Sequence, residues 1–223
     1  MSSPLTPPVP PGTPPPTPPP GPTGAAKRDG EATRARLVRS ALQLFTTIGF
    51  RATTTTAIAE AAEIAEGTIY RHFSGKEHLL NEVYRQAQGW AGKLAPDRDA
   101  ERGSVPERLQ RLGRGLVEGA GRDPALARMF LARAEERYLD EKSRETAHEF
   151  RERLQHIMAS GKSDGQVRAG PAELWAGVWL ALVGYAMWRV SAGEWNADHP
   201  QVQLTLDAAW DAIALRAAPP GHM

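Results

Sequence analysis

The sequence predicts an all-α fold, with an N-terminal three-helix helix-turn-helix unit ahead of a longer helical domain. Three observations carry this. From Leu37 onward apolar residues return at the three- and four-residue spacing of one helix face. Sustained period-two alternation with β-branched enrichment is missing, and the run Thr53 to Thr56 is too short for a strand. Glycines and capping residues punctuate the pattern where helices should start and stop.

The first 26 residues hold 12 of the 19 prolines and no charged side chain. Proline at that density removes backbone donors and favours extended polyproline II with nothing to bury, so residues 1–28 are expected to form a disordered tail. They lack a basic start followed by an apolar run, which excludes a signal peptide. The first helix carries Leu37, Ala41, Phe45 and Ile48 with Val38 and Leu42 alongside, and Gly49 occupies the left-handed C-terminal cap. Thr54 is the expected N-cap of a short second helix bearing Ile58, Ala61 and Ala62. Glu63-Ile64-Ala65 is the turn, and Glu66 to Phe73 the third helix. Ser74 and Glu77 have capping-box spacing and open a fourth helix that runs past Trp90. A loop at 95–104 follows, then helices near 105–120, 124–138, 141–160, 171–192 and 200–216. The expected division is a helix-turn-helix domain at 29–76, a helical ligand-binding and dimerisation domain at 77–217, and a disordered end at 218–223.

Composition narrows the function. With 27 basic and 26 acidic residues there is no global field to draw in nucleic acid or a membrane, so a charged partner must be met by a local patch. The absence of cysteine removes disulfides and thiolate chemistry and fits a cytoplasmic protein. Gly161-Lys162-Ser163 resembles the end of a phosphate-binding loop, but His156 stands where its first glycine belongs and no strand precedes it. Glu145 and His148 have the spacing of a di-iron helix without a second copy, and the six histidines show no zinc-binding pair. No enzyme activity, cofactor or metal is expected.

The third helix carries the chemical signal. Two short helices joined by a three-residue turn, packed on a longer one through Leu37, Phe45, Ile58, Ile64, Ile69 and Phe73, form a helix-turn-helix whose last helix can enter a DNA major groove. Its outward positions hold Thr68, Tyr70, Arg71 and His72. Arg71 can grip guanine in bidentate fashion, and Thr68 can meet a phosphate or a thymine methyl. Tyr70 and His72 offer donors at backbone distance, and Lys76 opens the next helix within reach of a phosphate. Residues 27–76 hold eight basic and five acidic side chains, a net of +3 that suits one half of a dimer. Spacing alone leaves a second reading open, a helical binding or adaptor protein that meets protein through this module and the proline-rich tail.

The stretch from Arg36 through Leu80 resembles the DNA-binding domain of the TetR family of bacterial transcriptional regulators. The matching elements are Leu44-Phe45 with Gly49-Phe50, Thr53-Thr54, Ile58-Ala59, Gly67-Thr68-Ile69-Tyr70, and Phe73 followed by Lys76-Glu77. Two positions depart: Glu63 replaces the usual turn glycine and Ala65 the usual serine cap, each at a cost of about 1 kcal/mol. The resemblance implies DNA contacts at Thr54, Thr56, Glu66, Gly67, Thr68, Tyr70, Arg71, His72 and Lys76. It also implies a homodimer on a near-palindromic double-stranded operator, usually as a repressor, and an effector cavity among the middle helices. Candidates for the cavity lining are Trp90, Met129, Phe130, Phe150, Met158, Trp175 and Trp179, which as a set point to an apolar, aromatic or acyl small molecule.

The last two helices are the expected dimer contact. The uncharged stretch from Leu174 to Trp188 is too short for a membrane span, which needs about 20 residues, so protein should bury it. Gly177, Ala181 and Gly184 form a small stripe that lets helices approach closely, and Val202, Leu206, Ala209 and Ile213 offer an apolar face on the next helix.

Overall fold

The computed structural model describes residues 24–95, 103–132 and 136–215 of the chain. Residues 1–23 of the expected tail and the 218–223 end lie outside the described residues, as does most of the 95–104 loop, whereas residues 24–28, also expected in the disordered tail, form the first turn of helix α1. Helix α1 spans Gly24–Thr47, α2 Thr55–Ala61, α3 Ile69–His72 and α4 Lys76–Leu94. Then come α5 Val105–Arg122, α6 Pro124–Leu131, α7 Glu141–Ser163, α8 Ala172–Ser191 and α9 Pro200–Asp211. Among the described residues the only extended pairing is an isolated bridge between Val167 and Ala214. No described helix is long and apolar enough to cross a membrane.

Local chemistry explains most boundaries. Gly49, at φ 88°, ends α1 in the left-handed conformation that a side chain resists. Asp123, Asp140 and His199 cap α6, α7 and α9 by accepting a backbone N–H, and Ser104 with Glu107 builds a capping box on α5. Helix α6 is shorter than the 124–138 expectation: it stops at Leu131, Ala132 is extended, and a 3₁₀ turn at Glu136–Tyr138 leads into α7. The expected Ser74 capping box does not form either. Gly75 is the extended N-cap of α4, while the Ser74 backbone N–H donates to His78 Nδ1 at 3.3 Å.

Helix α4 runs through the middle of the molecule, packing on α1 at its start and on α6 and α7 further along. Leu79, Leu80, Val83, Ala87 and Ala91 are buried along it. Beyond it, α5 lies against α8 and α9, where Leu206 of α9 reaches the backbone of Gly113. Ile48, expected on the buried face of α1, is instead 54% exposed because it follows the last full turn of that helix.

Candidate nucleic-acid interface and effector groove

The reading head is built as its sequence dictates, with one strained corner. Thr54 caps α2, its hydroxyl accepting from the Ala57 N–H at 3.1 Å. At the other end Glu63 takes φ 55°, with Ile64 N–H bonded to Ala59 C=O and Glu63 N–H to Glu60 C=O, each at 3.0 Å. This is the Schellman closure that glycine normally makes, so the sharp turn survives at the expense of Cβ strain. Glu63→Gly is therefore expected to raise unfolding stability by about 1 kcal/mol, read as a higher denaturation midpoint. Ala65 supplies no side-chain cap, and the next element begins as a 3₁₀ turn, Glu66–Thr68, before α3. Beneath it Leu37, Phe45, Ile58, Ile69 and Phe73 are buried, and Ile64 is half-buried.

The outward side chains divide into used and unused. Tyr70 is 59% exposed. Arg71 is exposed and has no ion pair with a described residue. Gly67 is bare, with no atom within 4 Å of where a Cβ would stand. Thr68 and His72 are half-buried, His72 turned toward Gly30 of α1. Glu66 has internal work: its carboxylate accepts from the hydroxyls of Thr55 at 3.2 Å and Thr56 at 2.9 Å, across the first turn of α2. There, beside the N-terminus of α2, the carboxylate is favoured by that helix's dipole.

Lys76 departs from the sequence expectation. Its ammonium donates to the carbonyls of Phe50 and Thr53, both at 2.8 Å, and lies 4.5 Å from the centre of the Phe50 ring. A half-buried lysine satisfies its donors on the nearest carbonyls, so here it ties the α1–α2 loop to α4 rather than reaching for a phosphate. Lys76→Met is expected to destabilise the head by about 1–3 kcal/mol, read in thermal unfolding.

Helix α4 also carries the joint between the head and the rest. Arg34 of α1 pairs with Glu82 at 2.9 Å, and Arg85 pairs with Asp140 at the start of α7, also at 2.9 Å. Buried Asn81 donates to the Tyr138 carbonyl and accepts from the Asp140 N–H, each at 2.8 Å. Burial pushes the Glu82 carboxyl up, but hydrogen bonds from Arg34 and Arg85 outweigh it and hold the group below its ordinary value. A depressed folded-state value means that this stabilisation is present above the ordinary glutamate range and lost as pH falls through the depressed value. The melting temperature of Glu82→Gln, measured against wild type, should therefore lag at neutral pH and converge with it on acidification.

A groove of about 610 Å³ opens between α4, α6, α7 and α8. Of the seven residues expected to line an effector cavity, Phe130 and Phe150 do so, their rings edge-to-face at 5.2 Å. The other five lie elsewhere. Trp90 packs on Gly119, whose missing Cβ makes room for the indole. Met158 and Trp179 are ordinary core, at 0% and 1% exposure. Met129 is buried beside Phe45, Leu80 and Tyr138, and Trp175 covers the 168–170 turn with its indole N–H on the Ala169 carbonyl at 3.2 Å. The sequence reading missed Tyr84, Gln88 and Arg151, which also line the groove. Gln88 had a signal, an amide set among Leu80, Tyr84, Ala87 and Ala91 on the apolar face of α4.

The expected dimer residues are rearranged as well. Val202, Leu206 and Ile213 are buried within their own chain, as is Gly184 under Leu131 of α6. Gly177 and Ala181 remain exposed, joined on the same side of α8 by Leu174, Tyr185 and Trp188, the last 50% exposed. On α9 the outward apolar residue is Leu204, at 61% exposure.

Known proteins agree with this architecture. The family described as bacterial regulatory proteins, tetR family, has a sequence model that matches residues 37–83. The HTH-type transcriptional regulator TcmR of Streptomyces glaucescens is 33% identical over 135 residues, covering 51% of this chain and 58% of that protein. YvkB of Bacillus subtilis, also an HTH-type transcriptional regulator, is 34% identical over 86 residues, 39% of this chain and 44% of its own. The chain thus spans about half the length of these curated relatives. The crystal structure of a TetR family transcription regulator from Marinobacter aquaeolei VT8 superposes with a TM-score of 0.72 at 20% identity, covering 85% of this chain and 100% of that one, which establishes the fold. The helix-turn-helix at residues 37–83 thus matches the tetR family of bacterial regulatory proteins, and the described residues have the fold of a solved TetR family transcription regulator.

Proposed function

We propose that the chain is a non-enzymatic, DNA-binding transcriptional regulator of the cytoplasm, a homodimer that holds a near-palindromic operator as a repressor and releases it when a small molecule fills the groove. The observation that carries this is the outward face of α3, where Tyr70 and Arg71 stand exposed without internal duties, while Glu66 and Lys76 of the same head are held by internal partners. Base edges are read by such donors, with Thr54, Thr56, Gly67, Thr68 and His72 close enough on the same head to meet the backbone.

One +3 head binds weakly, and a two-fold pair gains both affinity and operator symmetry. The exposed stripe Leu174, Gly177, Ala181, Tyr185 and Trp188 is the surface we assign to the second copy, with Leu204 beside it on α9. Release follows from the course of α4. Tyr84 in the groove is eight residues from Lys76 at the head, about 12 Å along the helix. A ligand that prefers a tilted α4 shifts the pair of heads away from the spacing that fits DNA, and operator affinity falls by that preference. A gel shift on the DNA beside the chain's own gene tests the reading. A saturable shift that resists excess random DNA is expected, and a shift that random DNA removes in proportion contradicts it.

A further inference from the structure

Three polar groups of the groove lack an internal purpose. Gln88 is 6% exposed and Tyr84 7% exposed, both line the groove, and neither side chain has a hydrogen-bond partner among the described residues. Buried polar groups are costly unless paired, so an amide and a phenol left open toward a cavity mark where something polar is to be received. Arg151, exposed on α7, lines the same groove near enough to Tyr84 for its charge to act on the phenol. Its helical neighbours Ala147, His148, Leu154 and Gln155 include no acid.

The other cation of the groove is committed. The Arg144 guanidinium donates to the Leu139 carbonyl and to the Glu141 carboxylate at 3.2 Å. Glu136 lines the groove beside Arg144 and adds a negative charge there. Arg151 is thus the cation available to an incoming anion, with two neutral donors beside it. Most of the remaining wall is apolar, with Phe130, Leu131, Phe150 and Leu180 prominent, and Gly177 and Ala181 of the outward α8 stripe form one edge of it.

We propose that the groove takes a small molecule with an apolar body and one carboxylate, the carboxylate held by Arg151, Tyr84 and Gln88 and the body lying against Phe130, Phe150 and Leu180. This rests on the effector reading above and adds an anionic head to the apolar, aromatic or acyl molecule that the aromatic residues of the sequence implied. A volume of about 610 Å³ accommodates a medium-chain or aryl-substituted acid. A guanidinium binds carboxylate in paired, charge-assisted hydrogen bonds, which a neutral amide of the same shape cannot reproduce.

The test titrates the full chain calorimetrically with octanoate, decanoate, dodecanoate and phenylbutyrate, each beside its primary amide. The acids should bind at least about tenfold tighter than their amides. Arg151→Gln should erase that preference while leaving the ligand-free melting temperature unchanged, and Tyr84→Phe should weaken the acids severalfold without affecting the amides. Amides that bind as well as acids, a preference that survives Arg151→Gln, or no binding in either series overturns the assignment. The same samples are then run on operator DNA. Acids that bind through Arg151 without releasing DNA support the ligand class and contradict the effector role, whereas amides that release DNA equally well leave the effector role standing and overturn the carboxylate.

Discussion

Trp188→Glu is expected to turn the proposed dimer into a monomer and to abolish cooperative operator binding, with the helical content retained. The indole is half exposed at the end of the outward stripe on α8, so the isolated chain loses little packing when it is removed. In a dimer it belongs to the aromatic anchors whose loss typically costs about 2 kcal/mol or more, and a carboxylate in its place has to be stripped of water as well. Light scattering gives the mass and circular dichroism the fold. Gly184→Leu serves as the contrasting variant: a Cβ there already stands 3.1 Å from Leu131 of the same chain, so its effect is misfolding of the α6–α8 contact rather than clean dissociation. A stable Trp188→Glu dimer with normal operator affinity would place the interface on another surface.

Arg71→Ala is expected to cost about 1–3 kcal/mol per half-site on operator DNA, and so about 2–6 kcal/mol for a two-fold complex, while random DNA loses far less. The fold should be untouched, since the exposed guanidinium pairs with no described residue. Fluorescence anisotropy at several salt concentrations separates two roles. A base-reading arginine relaxes specificity at one position, whereas a phosphate-binding one lowers the salt slope by about one per head. Equal losses on operator and random DNA would remove Arg71 from base reading.

How much of this was legible in the sequence depended on whether the signal was local. Gly49 and Thr54 announced their helix ends because cap chemistry acts within a few residues. Glu63 was recognised as a glycine position from the turn it closes, and it adopts the positive φ that this turn demands. The internal bonds of Lys76 are not legible in the sequence, because its partners, the carbonyls of Phe50 and Thr53, are more than twenty positions away and invisible to spacing arguments. On α9, periodicity found a buried face in Val202, Leu206 and Ile213 but could not say what buries it, and the answer is the chain's own body. Of the effector candidates Phe130 and Phe150 line the groove, whereas a large aromatic such as Trp179 fills core, because apolar periodicity alone does not separate a cavity wall from a core.

Selection of bound sequences from random duplex DNA by the purified full chain tests symmetric operator reading directly. A dimeric reader with one α3 per subunit should enrich a two-fold-symmetric motif whose half-site centres lie about one helical turn apart, roughly 34–36 Å, or a multiple of it. The motif should lose information at one position in each half when Arg71→Ala is used. Enrichment of an asymmetric single site, or of no sequence at all, would contradict a two-fold dimeric reader.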